Sequence, residues 1–232
     1  MHIEPGIVEG SKMALSYATA TAVGGLLINS ISQQLKRTNL ITGSVNILVR
    51  SFFTTVLVFS FFEILPHYPV GISEVHFILG STLFLLFGRV PAAIGLAAGL
   101  FLQGVLFAPS DMPQYFINTT TLLAPLFLCA MTADRIIPAN TAYANIQYSQ
   151  AFKLSLVYQG GIVAWVMFWA FYGQGFHVDN LAQVGSFSVA YISVVLIEPI
   201  VDLGVLALAK FGKNLSGSPM IEERLFQSST IA

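Results

Sequence analysis

The sequence predicts an all-α integral membrane protein, a polytopic bundle of about seven transmembrane helices. Of its 232 residues 55% are hydrophobic and only 9% are charged, whereas soluble domains average about 25% charged residues. The apolar residues also form successive runs close to the roughly 20 residues that a helix needs to cross a bilayer. The net charge of -1 gives no basic surface for nucleic acid. We therefore expect a multi-pass protein of the inner (cytoplasmic) membrane, surrounded by lipid.

Seven apolar segments are the predicted membrane spans. The third is short for a full crossing, so it could begin in the preceding loop or enter the membrane only in part. The predicted spans are residues 13–32, 40–64, 75–88, 91–107, 114–132, 154–172 and 183–210.

The short loops predict the orientation of these spans. With the N-terminus outside, the outer segments hold only Lys12, and the other loop and tail cations are all cytoplasmic, as the positive-inside rule requires. An odd number of spans then places the C-terminus in the cytoplasm. Glu4 and Glu9 precede the first span, which argues against a positively charged signal peptide. The cytoplasmic cations are Lys36, Arg37, Arg89, Arg135, Lys153, Lys210, Lys213 and Arg224.

The histidines are confined to one predicted face of the membrane. All four, His2, His67, His76 and His177, lie in outer segments or at the outer end of a span. Imidazole is the commonest protein ligand for transition metals and suits zinc, copper, nickel and cobalt. The outer face is therefore where a metal site is expected, although the loop residue His177 is more simply explained as a solvated side chain.

The second position of the chain gives His2 a particular chemistry. Methionine aminopeptidases act when the second residue is small, and histidine is not, so we expect Met1 to keep a free amine. That amine, the deprotonated His2 amide and the His2 imidazole would close a five- and a six-membered ring on one ion. One more imidazole would complete four nitrogens in a plane, the geometry of nickel(II) and copper(II). His76, at the start of a predicted helix, is the first candidate, and His67 is the second.

The other polar residues of the spans do not point to one chemistry. The single cysteine, Cys129, excludes an intrachain disulfide and a thiolate cluster. Glu198 and Asp202 are one helical turn apart, and Arg50 lies inside the second span. Such residues mark ion paths or helix pairing in membranes, so Arg50 could pair with one of these acids or with Glu63.

Three segments carry motifs of a known family. They are the MHI start, the stretch VHFILGSTLFLLFGRVPAAIGLAAGLFLQGVLF and the stretch FINTTTLLAP. Together they resemble the CbiM/NikM family, the substrate-capture (S) components of cobalt and nickel energy-coupling-factor (ECF) transporters. The matching positions after the start are His76, Leu79, Gly80, Gln103, Leu106, Phe107 and Asn118.

The resemblance implies roles for individual residues. Met1, through its amine, His2, through its amide and imidazole, and His76 would hold the ion. Gln103 and Asn118 would orient these ligands. The ion, Ni(II) or Co(II), would be the transported substrate and not a cofactor. Residues 1–210 would then form a single transmembrane metal-binding domain, followed by a short cytoplasmic tail at 211–232.

The resemblance also implies partners. Family members dock on a transmembrane scaffold (T) subunit driven by two ATPase subunits, with or without a small accessory membrane subunit. The chain has no G-x-x-x-x-G-K-[ST] motif, so we expect ATP to be hydrolysed elsewhere and the chain not to be an enzyme. Ala14, Ala18 and Ala22 form a small-residue stripe on the first span, which is typical of close helix contacts in lipid. It would meet the scaffold or a neighbouring span.

Two other functions fit parts of the sequence. The membrane acids would suit a membrane-embedded metal-dependent enzyme, although no H-E-x-x-H motif is present. The aromatic content of 12% would suit an S component for an organic vitamin. Aromatic residues at the lipid interface explain that content more simply.

Overall fold

The protein forms a helical bundle with a small β-hairpin at one end. The structure, a computed structural model, describes residues 2–211 and 218–227, and Met1 lies outside them. The described elements in chain order are α1 (Ala14–Arg37), α2 (Leu40–Glu63), β1 (Tyr68–Val70), β2 (Ser73–Val75), α3 (Gly80–Phe87), α4 (Arg89–Leu106), α5 (Tyr115–Ile136), α6 (Tyr148–Gln174) and α7 (Val178–Phe211).

The membrane-spanning helices agree with the predicted fold class. Six of the described helices, all except α3, are long and apolar enough to cross a bilayer. The protein is therefore an all-α, multi-pass membrane protein.

The predicted span at 75–88 is the one that differs. The helix there, α3, has eight residues, about 12 Å of rise, whereas the hydrocarbon core is about 30 Å thick. The last residue of the hairpin, Val75, and residues 76–79, which form no helix or strand, occupy the beginning of the predicted span. Hydropathy could not show this, since α3 is almost entirely buried inside the protein and a buried helix is as apolar as a lipid-facing one.

Helix α3 lies in the middle of the bundle and contacts α2, α4, α5, α6 and α7. Leu79, with a left-handed φ of 55°, turns the chain into α3, and Gly88, with φ 91°, turns it from α3 into α4. Helix α4 returns the chain to the hairpin end of the bundle. The segments predicted at 75–88 and 91–107 therefore still reverse the direction of the chain, although α3 does not cross the membrane.

Helices α2 and α4 pack at very short range, and Gly95 makes this possible. A Cβ at Gly95 would overlap the Thr54 side chain and lie 2.8 Å from the Thr54 carbonyl carbon. The Thr54 hydroxyl also donates across the contact to the Pro91 carbonyl, at 2.8 Å. The position therefore has no room for a side chain.

Gly95→Ala is expected to destabilise the protein by about 1–3 kcal/mol, since the added carbon overpacks the contact between α2 and α4. The melting temperature of metal-free protein in detergent measures this effect. Gly25→Ala on α1 is the matched control, because a Cβ there meets no atom within 4 Å. Equal melting temperatures for the two variants would contradict the close packing.

The N-terminal arm, residues 2–9, is fixed to the bundle instead of being frayed. It runs beside β2, where Ile3 forms a β-bridge with Ser73 and the Glu4 amide donates to the Ile72 carbonyl at 3.1 Å. The Ile3 side chain is buried against Trp169 of α6. Backbone hydrogen bonds and apolar burial together hold the start of the chain in place.

The described part of the tail, residues 218–227, packs against the opposite end of the bundle. The Glu222 amide donates to the Leu86 carbonyl at 2.7 Å, so the tail lies beneath α3. The buried Arg50 pairs with the Glu222 carboxylate at 2.6 Å. Arg50, for which a membrane acid was the expected partner, is thus paired with the tail instead.

Candidate metal site

Three of the four histidines meet at the hairpin end of the bundle. The ring centroids of His2 and His76 are 4.9 Å apart, and His67 stacks on His76 at 5.0 Å. His177 lies at the same end but directly before α7. Its Nδ1 accepts a hydrogen bond from the backbone N–H of Asn180, in the first turn of that helix, at 3.3 Å. His67 is exposed, whereas His2 and His76 are buried.

The arm and the hairpin position these side chains together. The His2 carbonyl accepts hydrogen bonds from the Ser73 hydroxyl at 2.9 Å and from the Glu74 amide at 3.1 Å. His76 follows β2 directly. His2 and His76 therefore belong to one hydrogen-bonded ribbon, although they are far apart in the sequence.

Glu74 occupies the centre of the cluster. Its Oε2 lies 3.2 Å from His2 Nδ1 and 2.7 Å from His76 Nε2. One ligand atom from each of the three residues lies within 4.8 Å of the other two, a spacing that could hold a metal ion. Sequence reasoning missed Glu74. The available signal was its position two residues before His76, because alternate residues of a strand share a face.

The protonation states of the cluster suit metal binding. Burial lowers the pKa of His2 and lowers the pKa of His76 to about 3. Hydrogen bonds from His2 and His76 lower the pKa of Glu74. At neutral pH both imidazoles are therefore neutral and the carboxylate is charged, which are the forms that bind metal ions.

A second carboxylate and a small cavity adjoin His2. Asp111 Oδ2 lies 3.7 Å from His2 Nδ1, and burial raises the pKa of Asp111. Gln103 and Asn118 line the cavity, whose volume is about 10 Å³. Gln103 is buried, and its Oε1 has no hydrogen-bond partner among the described residues. Asp111 was also missed, since nothing in its sequence neighbourhood connects it with His2.

Asn118 positions the arm. Its Oδ1 accepts a hydrogen bond from the Ile3 amide at 2.9 Å, in a buried contact between α5 and the arm. This bond fixes the backbone directly after His2, which is consistent with the orienting role that the family resemblance implies.

Asn118→Ala is expected to weaken metal binding by about 10–100-fold, the usual cost of losing a group that orients a ligand. Calorimetric titration of the purified protein measures it. Thr121→Ala is the matched control, since the Thr121 hydroxyl is also buried on α5 but bonds only to Ile117 of its own helix. Equal affinities for the two variants would count against the positioning role.

The small-residue stripe of α1 faces outwards. Ala14, Ala18 and Ala22 are all exposed. No described helix of the chain covers them, so a neighbouring span within the chain is not their contact.

One comparison with known proteins identifies a family. A family model described as CbiM, cobalt uptake substrate-specific transmembrane region, matches residues 2–213. No curated protein and no solved structure matches the chain. The matched range takes in the arm, the hairpin and all six long helices.

Proposed function

We propose that this chain, which belongs to the CbiM family of cobalt uptake substrate-specific transmembrane regions, captures a cobalt or nickel ion as the substrate-specific subunit of an ECF-type ABC transporter. CbiM is a transporter family and not an enzyme family. The observation that supports capture is the pair of buried, neutral imidazoles of His2 and His76, which both face Glu74 at one end of the bundle.

The capture site that we propose uses four nitrogens. The Met1 amine, the His2 amide and His2 Nδ1 form the two chelate rings, because only Nδ1 closes a six-membered ring with the amide of its own residue. His76, directly after β2, directs its Nε2 at the same Glu74 oxygen as His2 Nδ1 and supplies the fourth nitrogen. His67, stacked on His76, is the alternative fourth ligand.

Metal binding through these atoms changes the hydrogen bonds of Glu74. His2 Nδ1 and His76 Nε2 both contact its carboxylate, so each ring must carry its proton on the other nitrogen when it binds the ion. Those other nitrogens, His2 Nε2 and His76 Nδ1, have no partner among the described residues. Glu74 and Asp111 remain close to the ion, and their negative charge attracts it to the site.

The nitrogen set also bears on the choice of ion. Cobalt is the ion that the family description names. Nickel(II) follows cobalt(II) in the Irving–Williams order and accepts four planar nitrogens more readily. We therefore propose that both ions bind and that nickel binds more tightly.

The partners that we propose supply the energy of transport. The sequence has no motif of the P-loop type, so two separate ATPase subunits would hydrolyse ATP. The exposed stripe of Ala14, Ala18 and Ala22 would dock on the transmembrane scaffold subunit, since small residues let helices approach closely in lipid. A small accessory membrane subunit belongs to the same proposal.

Titration of the detergent-purified protein with Ni(II) and Co(II) tests capture. We expect one tightly bound ion per chain, and its binding is reduced more than about tenfold in His76→Ala. His177→Ala is the matched control, because this histidine lies at the same end of the bundle but outside the cluster. If affinity is unchanged in His76→Ala but lost in His67→Ala, His67 and not His76 is the fourth ligand. Binding that neither variant weakens would overturn the proposed site.

A further inference from the structure

A second polar cluster lies inside the membrane-spanning part of the bundle. Glu198 and Asp202, one helical turn apart on α7, are both completely buried. The Ser81 hydroxyl on α3 donates to Glu198 Oε1 at 3.3 Å and to Asp202 Oδ2 at 2.8 Å. The Thr82 hydroxyl donates to Asp202 Oδ1, and the Gln159 amide on α6 donates to Glu198 Oε2.

The two carboxylates have no cationic partner among the described residues. Each of their hydrogen bonds comes from a neutral group, and the described ion pairs all involve other acids. A buried charge without a partner costs several kcal/mol even after the protein relaxes, and membrane acids are retained mainly where they function. A pair of carboxylates is neutralised by two protons or by one divalent cation.

Three further buried oxygens on α6 and α7 lack a hydrogen-bond partner among the described residues. Gln159 Oε1 belongs to the same amide that binds Glu198, and it accepts no hydrogen bond from any described group. Tyr158, the residue before Gln159, and Tyr191, two helical turns before Glu198 on α7, are completely buried, and their hydroxyls also have no partner among the described residues. Buried polar atoms without a partner are rare in proteins and call for a specific explanation. A bound cation would give Gln159 Oε1 a partner.

Helix α3 connects this cluster with both ends of the bundle. His76 of the candidate metal site lies four residues before α3, and Ser81 and Thr82 form its first turn. Its other end, at Phe84 and Gly88, lines a cavity of about 530 Å³ beside the tail. The cluster therefore lies between the histidines at one end of the bundle and this cavity at the other end.

We propose that Glu198 and Asp202, with Ser81, Thr82 and Gln159, bind a divalent cation within the membrane: the cargo ion on its way from the histidine site to the cavity. This inference rests on the proposed function. Carboxylate, hydroxyl and amide oxygens suit divalent ions but hold cobalt or nickel less tightly than imidazole does. An ion that leaves the nitrogen site can therefore occupy this one and still be released, as conduction requires.

The test removes the capture site first. In the His2→Ala/His76→Ala protein, equilibrium dialysis against Co(II) or Mn(II) with metal analysis is expected to show one residual ion per chain. Adding Glu198→Gln and Asp202→Asn, which preserve side-chain size, should weaken that binding at least tenfold. Glu63→Gln is the matched control, a membrane-end acid that lies outside the cluster. A melting curve establishes that each variant is folded, and Ser81→Ala should weaken binding if the double substitution prevents folding.

The outcomes separate this inference from the proposed function. No residual binding in the His2→Ala/His76→Ala protein, or residual binding that the cluster substitutions leave unchanged, overturns the second site. The absence of binding together with an infrared band of protonated carboxyl groups also overturns it, because protons then neutralise the pair. Ion binding that is equal in the wild-type and the His2→Ala/His76→Ala proteins, and that the cluster substitutions remove, contradicts the histidine site instead. Glu198→Gln alone is expected to leave the affinity of the histidine site for the ion unchanged while reducing metal uptake by cells.

Discussion

Adding the three residues Gly-Ser-Gly in front of Met1 is expected to weaken Ni(II) and Co(II) binding by more than about a hundredfold. Loss of an outer group that orients a ligand already costs 10–100-fold, and this extension removes the amine ligand itself. It also moves the free amine too far from His2 to close the two small chelate rings. The affinity is measured by calorimetry on the purified protein.

The extension leaves the fold of the arm unchanged. Residues 2–4 are held by hydrogen bonds to the hairpin, and the extension replaces none of these residues. A single inserted residue would be a poorer test, since a histidine at the third position forms a tight planar chelate of its own with the amine and two amides. The extension therefore removes the chelate without creating another.

The matched control carries the same three residues after Ala232. Unchanged affinity in the N-terminally extended protein would exclude the amine as a ligand and leave His2, His76 and Glu74 as the coordinating set. Mass spectrometry of the unmodified protein tests the premise, which is that Met1 is the first residue and is not blocked.

The long helices could be predicted because a membrane span is recognised from length and hydropathy alone. Hydropathy did not distinguish the short, buried helix α3 from a membrane span. The residues between Gly80 and Phe87 are apolar because five helices surround them, and hydropathy does not distinguish protein from lipid. The hairpin before α3 was missed for a related reason: its strands have three residues each, too short for a periodic pattern.

The candidate site was predictable where the chemistry depends on chain position or on a motif. His2 was singled out by its place next to the amine, and His76 by the motif that follows it. Glu74 could have been inferred from its place two residues before His76, but its contact with His2, and that of Asp111, depends on the arm lying beside β2 and near the end of α4. Such pairings connect residues more than 70 positions apart, and no local pattern specifies them.

The same limit applied to Arg50. It was recognised as a charge that needs a partner, and partners were sought among the acids of the spans. Its partner Glu222 is 172 residues away, in a tail that has no apolar periodicity to reveal where it docks. Glu198 and Asp202 consequently have no cationic side chain as a partner among the described residues, which only the structure shows.

Ala18→Leu is expected to abolish most metal uptake while leaving metal binding to the isolated protein unchanged. Ala18 is exposed at the centre of the stripe, and the candidate metal site has no contact with it. If this stripe docks on a scaffold helix, three added carbons would force the backbones apart. Overpacking costs about 1–3 kcal/mol, which weakens docking by a factor between about 5 and about 150.

Uptake by cells that produce the complete transporter, and co-purification of this chain with its scaffold subunit, measure the two consequences. Ala207→Leu on α7 is the matched control, because it makes the same change at another exposed alanine of a spanning helix. Loss of uptake in both variants would point to general damage. Uptake retained in Ala18→Leu would mean that α1 faces only lipid at this position, and docking would then have to use another exposed surface.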